Sequence, residues 1–518
     1  MNSLLSPAIP TPFSARQRGD FQTPEVLARE VWTACASFQP DLVIEPTFGL
    51  GSFLATMPHE LKARVLGWEI HSEYHSFTSR ETASLHQTRR IQLIHGDVFA
   101  ACNSDLDLKL DNSVLVIGNP PWVTNSEQGF LGGGNTGDKR NLKSLSGLDA
   151  MTGKANFDIS EAIIIHFVCL LRGRCRKARF ALLTKFSVAR NLLEFLSTDS
   201  QTGDFEFHKI DSMKHFGAAV DAGLLRFTLG ADVSYRSRCP IFDGIEGDEI
   251  GQIGLVGKRL IYDLKAYECT AFMENHGRSH YAWRQGVKHD LSKVMELRKT
   301  ETGFENGLGE VVDVEDEVLY DLYKSSDLFN NRLARFVTPV YQQDLKDSLE
   351  ALPQKFPKLF CYLTRHQTAF KNRKSSIYRN KPMFSIFGIG DYTHFTYKVA
   401  ISGLYTLPVF RLLEPTSRPV IVDDTAYIIA TNNLSEAVYL YALLSLKCTQ
   451  DFLLAISHAG DKRRFGKSVL SRVLLPAASQ CPAPLMASII EAWAENRTIP
   501  IEIHSQLQRW LQTYQSNN

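Results

Sequence analysis

The sequence lacks the marks of several large protein classes. Its nine cysteines are scattered and none lies in a Cys-x-x-Cys pair, which argues against a zinc site and against a disulfide framework. The longest apolar helix candidate, residues 162–171, is about half as long as a membrane span. No charged segment followed by a long apolar stretch opens the chain, so a signal peptide is not predicted. These absences predict a cytoplasmic protein that binds no metal and no membrane.

An excess of charge is also missing. Lys and Arg number 57, and Asp and Glu 56, so only a local patch can attract a polyanion. The chain contains no internal repeat and no low-complexity segment. With 518 residues, 44% of them hydrophobic, it is long enough for two or three domains with sizeable cores.

The first 230 residues alternate short apolar runs with segments of helical spacing. The runs are almost continuously apolar, as is typical of strands that are covered on both faces. This alternation predicts a doubly wound α/β domain, which we place at residues 1–245. The predicted strands are 41–46, 63–70, 91–98, 113–120, 178–185 and 224–230, and the predicted helices are 23–38, 160–173 and 187–196.

One long segment of this region, residues 125–155, fits no helix or strand. It is rich in glycine and has no sustained periodicity. A loop of this length inside a domain is usually functional or disordered. Because it directly follows Pro120 and Pro121, we expect a mobile flap over a site.

Beyond about residue 245 the composition changes. Residues 310–318 are acidic, whereas residues 355–381 carry eight Lys or Arg, no acid, and interleaved Phe and Tyr. We expect a second domain of mixed α+β structure at 246–518, with the basic stretch as a candidate surface for nucleic acid. Within it we predict strands in 381–405 and 419–430 and a helical block at 434–457.

The first predicted strand leads into a turn that contains Gly49 and Gly51. Glycine at such a turn lets the backbone take positive φ and approach a ligand closely. The turn is not the dinucleotide fingerprint, because Leu54 stands where the third glycine of G-x-G-x-x-G belongs.

Acidic residues stand at the ends of three successive predicted strands, at Glu45, Glu69 and Asp97. An acid about 20 residues after the glycine turn is placed to hold a ribose diol. Three acids at one sheet edge repel phosphate and attract a cation. S-adenosylmethionine carries a sulfonium, an amino acid, a ribose and an adenine, and it matches this set.

The fourth predicted strand ends in Asn119-Pro120-Pro121-Trp122. Proline cannot donate to a sheet ladder, so the strand stops here. The side-chain oxygen of Asn119 and the carbonyl of Pro120 can accept the two hydrogens of a planar exocyclic amine and localise its lone pair. Trp122 can supply a face on which a base stacks. The motif therefore predicts methylation of an amine such as N6 of adenine.

These motifs, with "TPEVL" upstream, resemble the series of N6-adenine DNA methyltransferases of the gamma arrangement, in which cofactor motifs precede the catalytic motif and a recognition domain comes last. The resemblance implies a class I methyltransferase (Rossmann-like) catalytic domain, S-adenosyl-L-methionine as cofactor and a C-terminal target recognition domain. It also implies that Phe216 and Trp122 stack on the target base. The family more often has tyrosine or phenylalanine after the two prolines, where this chain has Trp122. The cofactor contacts that it implies fall on Thr23, Pro24, Glu45, Pro46, Gly49, Gly51, Glu69, Ile70, Asp97, Val98 and Asn119.

A base inside a duplex cannot present its amine to such a pocket, so the target nucleotide must be flipped out. We therefore expect double-stranded DNA as the partner, and a restriction–modification or phage-defence role with a separately encoded restriction endonuclease. Phosphate contacts are predicted in two basic stretches. Their candidate residues are Lys371, Arg373, Lys374, Arg379, Lys381, Arg463 and Arg464.

Other acceptors fit the same motif. N4 of cytosine, an RNA base or a glutamine amide of a protein remain possible, and the chain length and the basic stretch favour DNA over the last two. A DNA-binding subunit without turnover is disfavoured because Asn119, Glu69 and Asp97 are all present. A fused restriction enzyme is disfavoured as well, since the sequence has no convincing P-D…(D/E)-x-K nuclease core.

Overall fold

The computed structural model describes residues 21–517, except for 84, 86–89, 124–157, 198, 232, 235–236, 302, 342–347 and 416. The flap predicted at 125–155 lies outside the described residues. The chain divides into two units, of which the first ends at Leu264 and the second begins at Lys265.

A ten-stranded sheet forms the centre of the first unit. Its strands are β1 (Leu42–Glu45), β2 (Arg64–Glu69), β3 (Ile91–His95), β4 (Ser113–Gly118), β5 (Lys177–Lys185), β6 (Thr202–Lys209), β7 (Ala222–Gly230), β8 (Arg238–Phe242), β9 (Glu249–Val256) and β10 (Arg259–Ile261). Their order in the sheet is β10-β9-β8-β6-β7-β5-β4-β1-β2-β3. Strands β3, β2, β1, β4 and β5 run parallel, and β7 lies antiparallel between β5 and β6. The carboxyl ends of the parallel strands therefore meet at one edge.

Helices pack on both faces of this sheet. Every residue of β1 and of β4 is buried, because one face packs on α1 and the other packs on α5 and α6. This two-sided cover explains why those strands are continuously apolar in the sequence. The helices are α1 (Glu25–Ala34), α2 (Ser52–Ala55), α3 (Ser72–Glu81), α4 (Asn103–Leu106), α5 (Ile159–Leu171), α6 (Phe186–Leu196) and α7 (Ser212–Phe216).

The predicted doubly wound α/β fold is confirmed, with differences in detail. Strand β6 was not predicted, because its sequence TGDFEFHK alternates polar and apolar residues and contains no continuous apolar run. Strand β8 was not predicted either, because Pro240 interrupts its short sequence RCPIF. In addition, β9 and β10 lie beyond residue 245 and continue the same sheet. The first unit therefore runs to Leu264 rather than ending at the boundary predicted at 245.

The second unit combines small sheets with helices, which is the mixed α+β class predicted for it. Its three sheets have the orders β11-β20-β17-β18, β12-β13-β14 and β16-β15-β19. The strands are β11 (Arg284–Gln285), β12 (Arg298–Thr300), β13 (Gly303–Glu305), β14 (Val311–Val312), β15 (Leu319–Tyr323), β16 (Phe336–Pro339), β17 (Tyr397–Ser402), β18 (Phe410–Leu413), β19 (Val420–Val422) and β20 (Ala426–Thr431).

Helices complete the second unit. In the described residues no helix combines the length and the apolar character that a bilayer span needs. The predicted block at 434–457 is two helices with a break at Ser445 and Leu446, and the stretch 381–405 holds one strand only, β17. The helices are α8 (Leu264–Thr270), α9 (Ser292–Met295), α10 (Ser325–Phe329), α11 (Ser348–Lys355), α12 (Pro357–Arg365), α13 (Gln367–Lys371), α14 (Leu434–Leu444), α15 (Lys447–Ala455), α16 (Lys467–Leu470), α17 (Ala483–Asn496) and α18 (Ile501–Asn517).

Candidate active site

The glycine turn after β1 is held open by neighbouring polar groups. Gly49 and Gly51 have φ of 52° and 77°, in the left-handed region that favours glycine. The N–H of Gly49 donates to Oε2 of Glu69 at 3.0 Å, and the N–H of Leu50 donates to Oε1 of Gln22 at 2.9 Å. The structure thus joins the predicted glycine turn directly to the predicted acid at the end of β2.

Two acids of the predicted pocket are buried at the ends of adjacent strands. Glu45 is 2% exposed and Glu69 is 5% exposed. Glu69 also accepts the N–H of His71 at 2.8 Å, which orients its carboxylate. Burial, and secondarily the charge of Glu69, raises the pKa of Glu45 well above its usual range. A bound cation would remove this penalty, because it favours the ionised form of Glu45.

The third acid lies at the same edge with a local role in the backbone. Asp97 accepts the N–H of Phe99 at 3.0 Å and thereby caps the 3-10 turn at Val98–Ala100. Val98 is buried beside it, whereas Ile70, after β2, is 41% exposed. Capping uses one oxygen of Asp97, so the carboxylate keeps further acceptor capacity.

The segment before α1 packs along the glycine turn. The carbonyl of Thr23 accepts the hydroxyl of Ser52 at 2.6 Å, and Thr23 itself is buried. Pro24, with φ of −61°, precedes the first residue of α1. This arrangement brings Thr23 and Pro24 next to the glycine turn.

Asn119 follows β4 with its amide held in one orientation. Its Nδ2 atom donates to the carbonyl oxygen of Phe21 at 2.7 Å. The opposite atom, Oδ1, is buried, and no described residue donates to it. Only the nitrogen can serve the carbonyl of Phe21, so Oδ1 is left as an acceptor without a partner. Pro120, the next residue, is buried, and Pro121 is partly exposed.

An aromatic cluster of three rings surrounds the end of this motif. The ring of Trp122 lies 5.3 Å from that of Phe21 and 5.1 Å from that of Phe216, measured between centroids. Trp122 is 3% exposed and donates its Nε1 hydrogen to the carbonyl of Leu183 at 3.1 Å. Phe216 is partly exposed on the short helix α7. The structure therefore brings together both aromatics predicted for base stacking, with Phe21 as a third.

Four buried polar atoms that have no partner among the described residues lie at the carboxyl edge of the sheet. They belong to Glu45 and Thr47 after β1, Asn119 after β4, and Thr184 near the end of β5. Strands β1, β4 and β5 are neighbours in the sheet. Buried polar groups are normally satisfied, so this edge has the character of a ligand site. Acceptor oxygens and acids suit a cationic ligand with amine and hydroxyl donors, which S-adenosylmethionine is.

The cations predicted for DNA fall into two groups in the second unit. Three of them already bind main-chain oxygens. Arg373 donates to the carbonyls of Phe370, Met383 and Ser385, Arg463 to that of Asp424, and Arg464 to that of Thr406. The other four are exposed, and their side chains form no hydrogen bond or ion pair with any residue that the structure describes. These four are Lys371, Lys374, Arg379 and Lys381.

Two residues that sequence reasoning missed are Phe21 and Gln22. Both contact the site, Phe21 through its carbonyl and ring and Gln22 through its side-chain oxygen. The available signal was position alone, since both directly precede the Thr23-Pro24 pair that had been assigned to the cofactor.

The comparisons with known proteins place the chain in a family. No protein-family model matches it. A type II methyltransferase of Nostoc sp., M.NspV, is 36% identical over 465 residues, which cover 88% of this chain and 95% of that protein. The chain belongs to the type II methyltransferases. The cofactor of this methyltransferase is S-adenosyl-L-methionine, as predicted from the acids at the strand ends and the glycine turn.

Solved structures resemble the methyltransferase at low identity. The type IIG restriction endonuclease BpuSI is 14% identical, with a TM-score of 0.37, over 93% of this chain and 62% of that one. The M protein of the type I restriction enzyme EcoKI is 13% identical, with a TM-score of 0.30, over 43% of this chain and 47% of that one. A Listeria monocytogenes protein described as a class I S-adenosylmethionine-dependent methyltransferase is 13% identical, with a TM-score of 0.33, over 43% of this chain and 66% of that one.

Proposed function

We propose that this type II methyltransferase transfers a methyl group to the N6 amine of an adenine flipped out of double-stranded DNA. The observation that carries the proposal is the buried, partnerless Oδ1 of Asn119, whose orientation is fixed by Phe21. An acceptor of this kind suits an N–H donor rather than a phosphate or a carboxylate. Family membership supports a methyltransferase reaction.

The protein has to hold and orient the amine for this reaction, and it has to supply no strong base. S-adenosylmethionine supplies an electrophilic methyl group when it is bound. Asn119 Oδ1 and the Pro120 carbonyl accept the two amine hydrogens, which turns the nitrogen lone pair toward the methyl group. No strong base is needed, because the proton leaves after the nitrogen has been alkylated. Trp122 and Phe216 would stack on the base and hold its plane.

The cofactor-binding residues follow from the same edge of the sheet. Glu45 would face the cationic end, with Thr23 and Pro24 beside it. Glu69 would accept from the ribose hydroxyls once its bond to the Gly49 N–H rearranges or is shared. The remaining contacts would come from Pro46, Gly51, Ile70, Asp97 and Val98.

We assign the first unit to catalysis and the second to target recognition. A flipped base requires contacts that hold the deformed duplex, and these are supplied mostly to phosphates. The exposed cations of the second unit suit this role, since their side chains are not used within the described fold. The biological role that we propose is modification of host DNA beside a separately encoded restriction endonuclease.

The test is to incubate the purified protein with tritiated S-adenosylmethionine and unmethylated bacterial genomic DNA, and to digest the DNA to nucleosides. We expect label in N6-methyladenosine. Asn119→Ala should lose roughly 10²-fold or more of the activity, whereas Asn496→Ala, at an exposed position on α17, should keep it.

The other outcomes separate the alternatives. Label in N4-methylcytosine keeps the mechanism and changes the base, because the same two acceptors hold that amine equally well. Cofactor binding without label in DNA overturns the DNA assignment, and RNA and protein glutamine amides are then the acceptors to assay.

A further inference from the structure

The three residues before Pro24 touch both halves of the site. Gln22 accepts the N–H of Leu50 in the glycine turn, at 2.9 Å. The carbonyl of Thr23 accepts the Ser52 hydroxyl just after that turn. The carbonyl of Phe21 accepts the Nδ2 hydrogen of Asn119 in the motif after β4. Residues 21–23 therefore connect the glycine turn at 49–51, here called the cofactor loop, to Asn119, whose amide is proposed to bind the amine that is methylated.

We propose that Gln22 is a positioning residue that couples the cofactor loop to the orientation of Asn119. This inference rests on the proposed function of Asn119 and adds a residue to which that function assigns no role.

The geometry of a single peptide plane carries the coupling. The carbonyl of Phe21 and the Cα atom of Gln22 belong to the same planar peptide unit. Anchoring the Gln22 side chain on Leu50 limits the rotation of that plane, and so limits the direction of the Phe21 carbonyl. The direction of this carbonyl decides where the Asn119 amide hydrogen points, and hence where Oδ1 faces.

The fit between Gln22 and the glycine turn is close. A Cβ atom built on Gly49 would lie 2.7 Å from Oε1 of Gln22, which is closer than real Cβ atoms approach. A side chain at position 49 would therefore have to displace the Gln22 amide. A ligand that orders the glycine turn also orders Gln22, and through it the Phe21 carbonyl.

The ring of Phe21 extends the same coupling to the aromatic cluster. It lies 5.3 Å from Trp122 and 5.8 Å from Phe216, between centroids. Rotation of the Phe21–Gln22 peptide unit would therefore disturb the base-stacking side as well as Asn119.

Two substitutions at Gln22 and one control substitution elsewhere isolate the effect. Gln22→Met keeps the length of the side chain and removes the acceptor. Gln22→Glu restores an acceptor for the Leu50 N–H. Gln39→Met, at an exposed residue after α1, is the matched control. Thermal unfolding checks that each variant is folded.

The first measurement uses no methyl acceptor. Hydrogen exchange is followed at residues 46–54 and 113–123, with and without S-adenosylmethionine. In the wild type we expect the cofactor to protect both segments. In Gln22→Met it should protect 46–54 but not 113–123, and Gln22→Glu should regain protection of both. Equal protection of 113–123 in the wild type and in Gln22→Met overturns the inference.

The second measurement is single-turnover methylation of genomic DNA at saturating cofactor, beside a calorimetric Kd for the cofactor. We expect Gln22→Met to weaken cofactor binding about threefold to tenfold and also to slow the saturated turnover about tenfold. An unchanged saturated rate limits Gln22 to cofactor binding and overturns the coupling. A wild type that binds cofactor but labels no DNA overturns the proposed acceptor, and the exchange result then decides the coupling by itself.

Discussion

The carbonyl oxygen of Phe21 lies 2.7 Å from Nδ2 of Asn119 and accepts its hydrogen bond across 98 residues of sequence. This hydrogen bond distinguishes Nδ2 of Asn119 from Oδ1, two groups of similar shape. It places the nitrogen on the protein side and the oxygen on the side where an amine hydrogen can be accepted.

Asn119→Asp tests this relationship. A carboxylate has no hydrogen for the Phe21 carbonyl, so two oxygens would face each other across that contact. We expect kcat to fall about 10²-fold at alkaline pH. Protonation restores a donor, so the ratio of variant to wild-type kcat should rise as pH falls. A ratio that stays constant with pH would show that the Phe21 contact does not orient the residue.

The raised pKa of Glu45 predicts that cofactor binding is coupled to the release of a proton. Its pKa is raised by burial and by Glu69, so the protein without ligand holds a proton there above the usual range. A cationic cofactor favours the carboxylate, so binding should release this proton and tighten as pH rises through the raised pKa. Calorimetry in buffers of different ionisation enthalpy measures the release. Glu45→Gln should abolish it, and Glu194→Gln, at an exposed position on α6, should not.

The Glu45 carboxyl should make the stability of the ligand-free protein fall as pH rises, whereas it makes cofactor binding tighten. In the unfolded chain Glu45 ionises at its ordinary pKa, whereas in the folded chain it retains its proton to higher pH. The unfolded state then binds fewer protons, so stability falls as pH rises between the two pKa values. Glu45→Gln should remove this decline in the ligand-free protein. Thermal unfolding across that pH range checks it, and parallel curves for variant and wild type would contradict it.

Trp122 and Phe216 are too close to hold a base between them. Their ring centroids are 5.1 Å apart, whereas a stacked base between two rings needs about 7 Å, twice the contact distance of carbon atoms. We expect Phe216 to move, because Trp122 is 3% exposed and hydrogen-bonded to Leu183, while Phe216 is the last residue of the short helix α7 and precedes Gly217. DNA should change hydrogen exchange at 212–217 more than at 119–123. The reverse pattern would identify Trp122 as the moving ring.

Experiments should divide the predicted basic residues of the second unit into those that contact phosphates and those that stabilise the fold. Lys374→Ala and Arg379→Ala should each lower the slope of log K against log salt by about 1, with little change in thermal stability. Arg373→Ala should instead lower the unfolding temperature, because it removes four hydrogen bonds to main-chain carbonyls and a guanidinium 3.6 Å above the Tyr378 ring. An Arg373→Ala protein of normal stability with a lowered slope would make Arg373 a phosphate contact.

The sequence was informative where both faces of a strand are buried and where side chains themselves carry the chemistry. Strands β1 to β5 were predicted because they are continuously apolar, and Glu45, Glu69 and Asn119 because they stand at strand ends. Strand β6 was missed because Glu206 and His208 pair with each other on it, and Arg226 pairs with Glu206 from β7. The paired polar residues give the sequence of this strand the composition of a polar loop.

Other features could not be read from residue types. The role of Phe21 depends on a main-chain carbonyl, which every residue has. Arg373 has the composition of a nucleic-acid contact, yet its hydrogen bonds hold a turn of its own chain. Both facts depend on contacts that form only in the folded chain.

The continuation of the first sheet to Ile261 has a practical consequence for dissecting the protein. A fragment that stops at residue 245 would keep β8 but lose β9, its antiparallel neighbour. The open N–H and C=O groups of β8 would then form a free edge that pairs readily with other molecules and aggregates. A soluble catalytic fragment should therefore extend to Leu264, and its shorter counterpart should precipitate even though it contains every residue of the candidate active site.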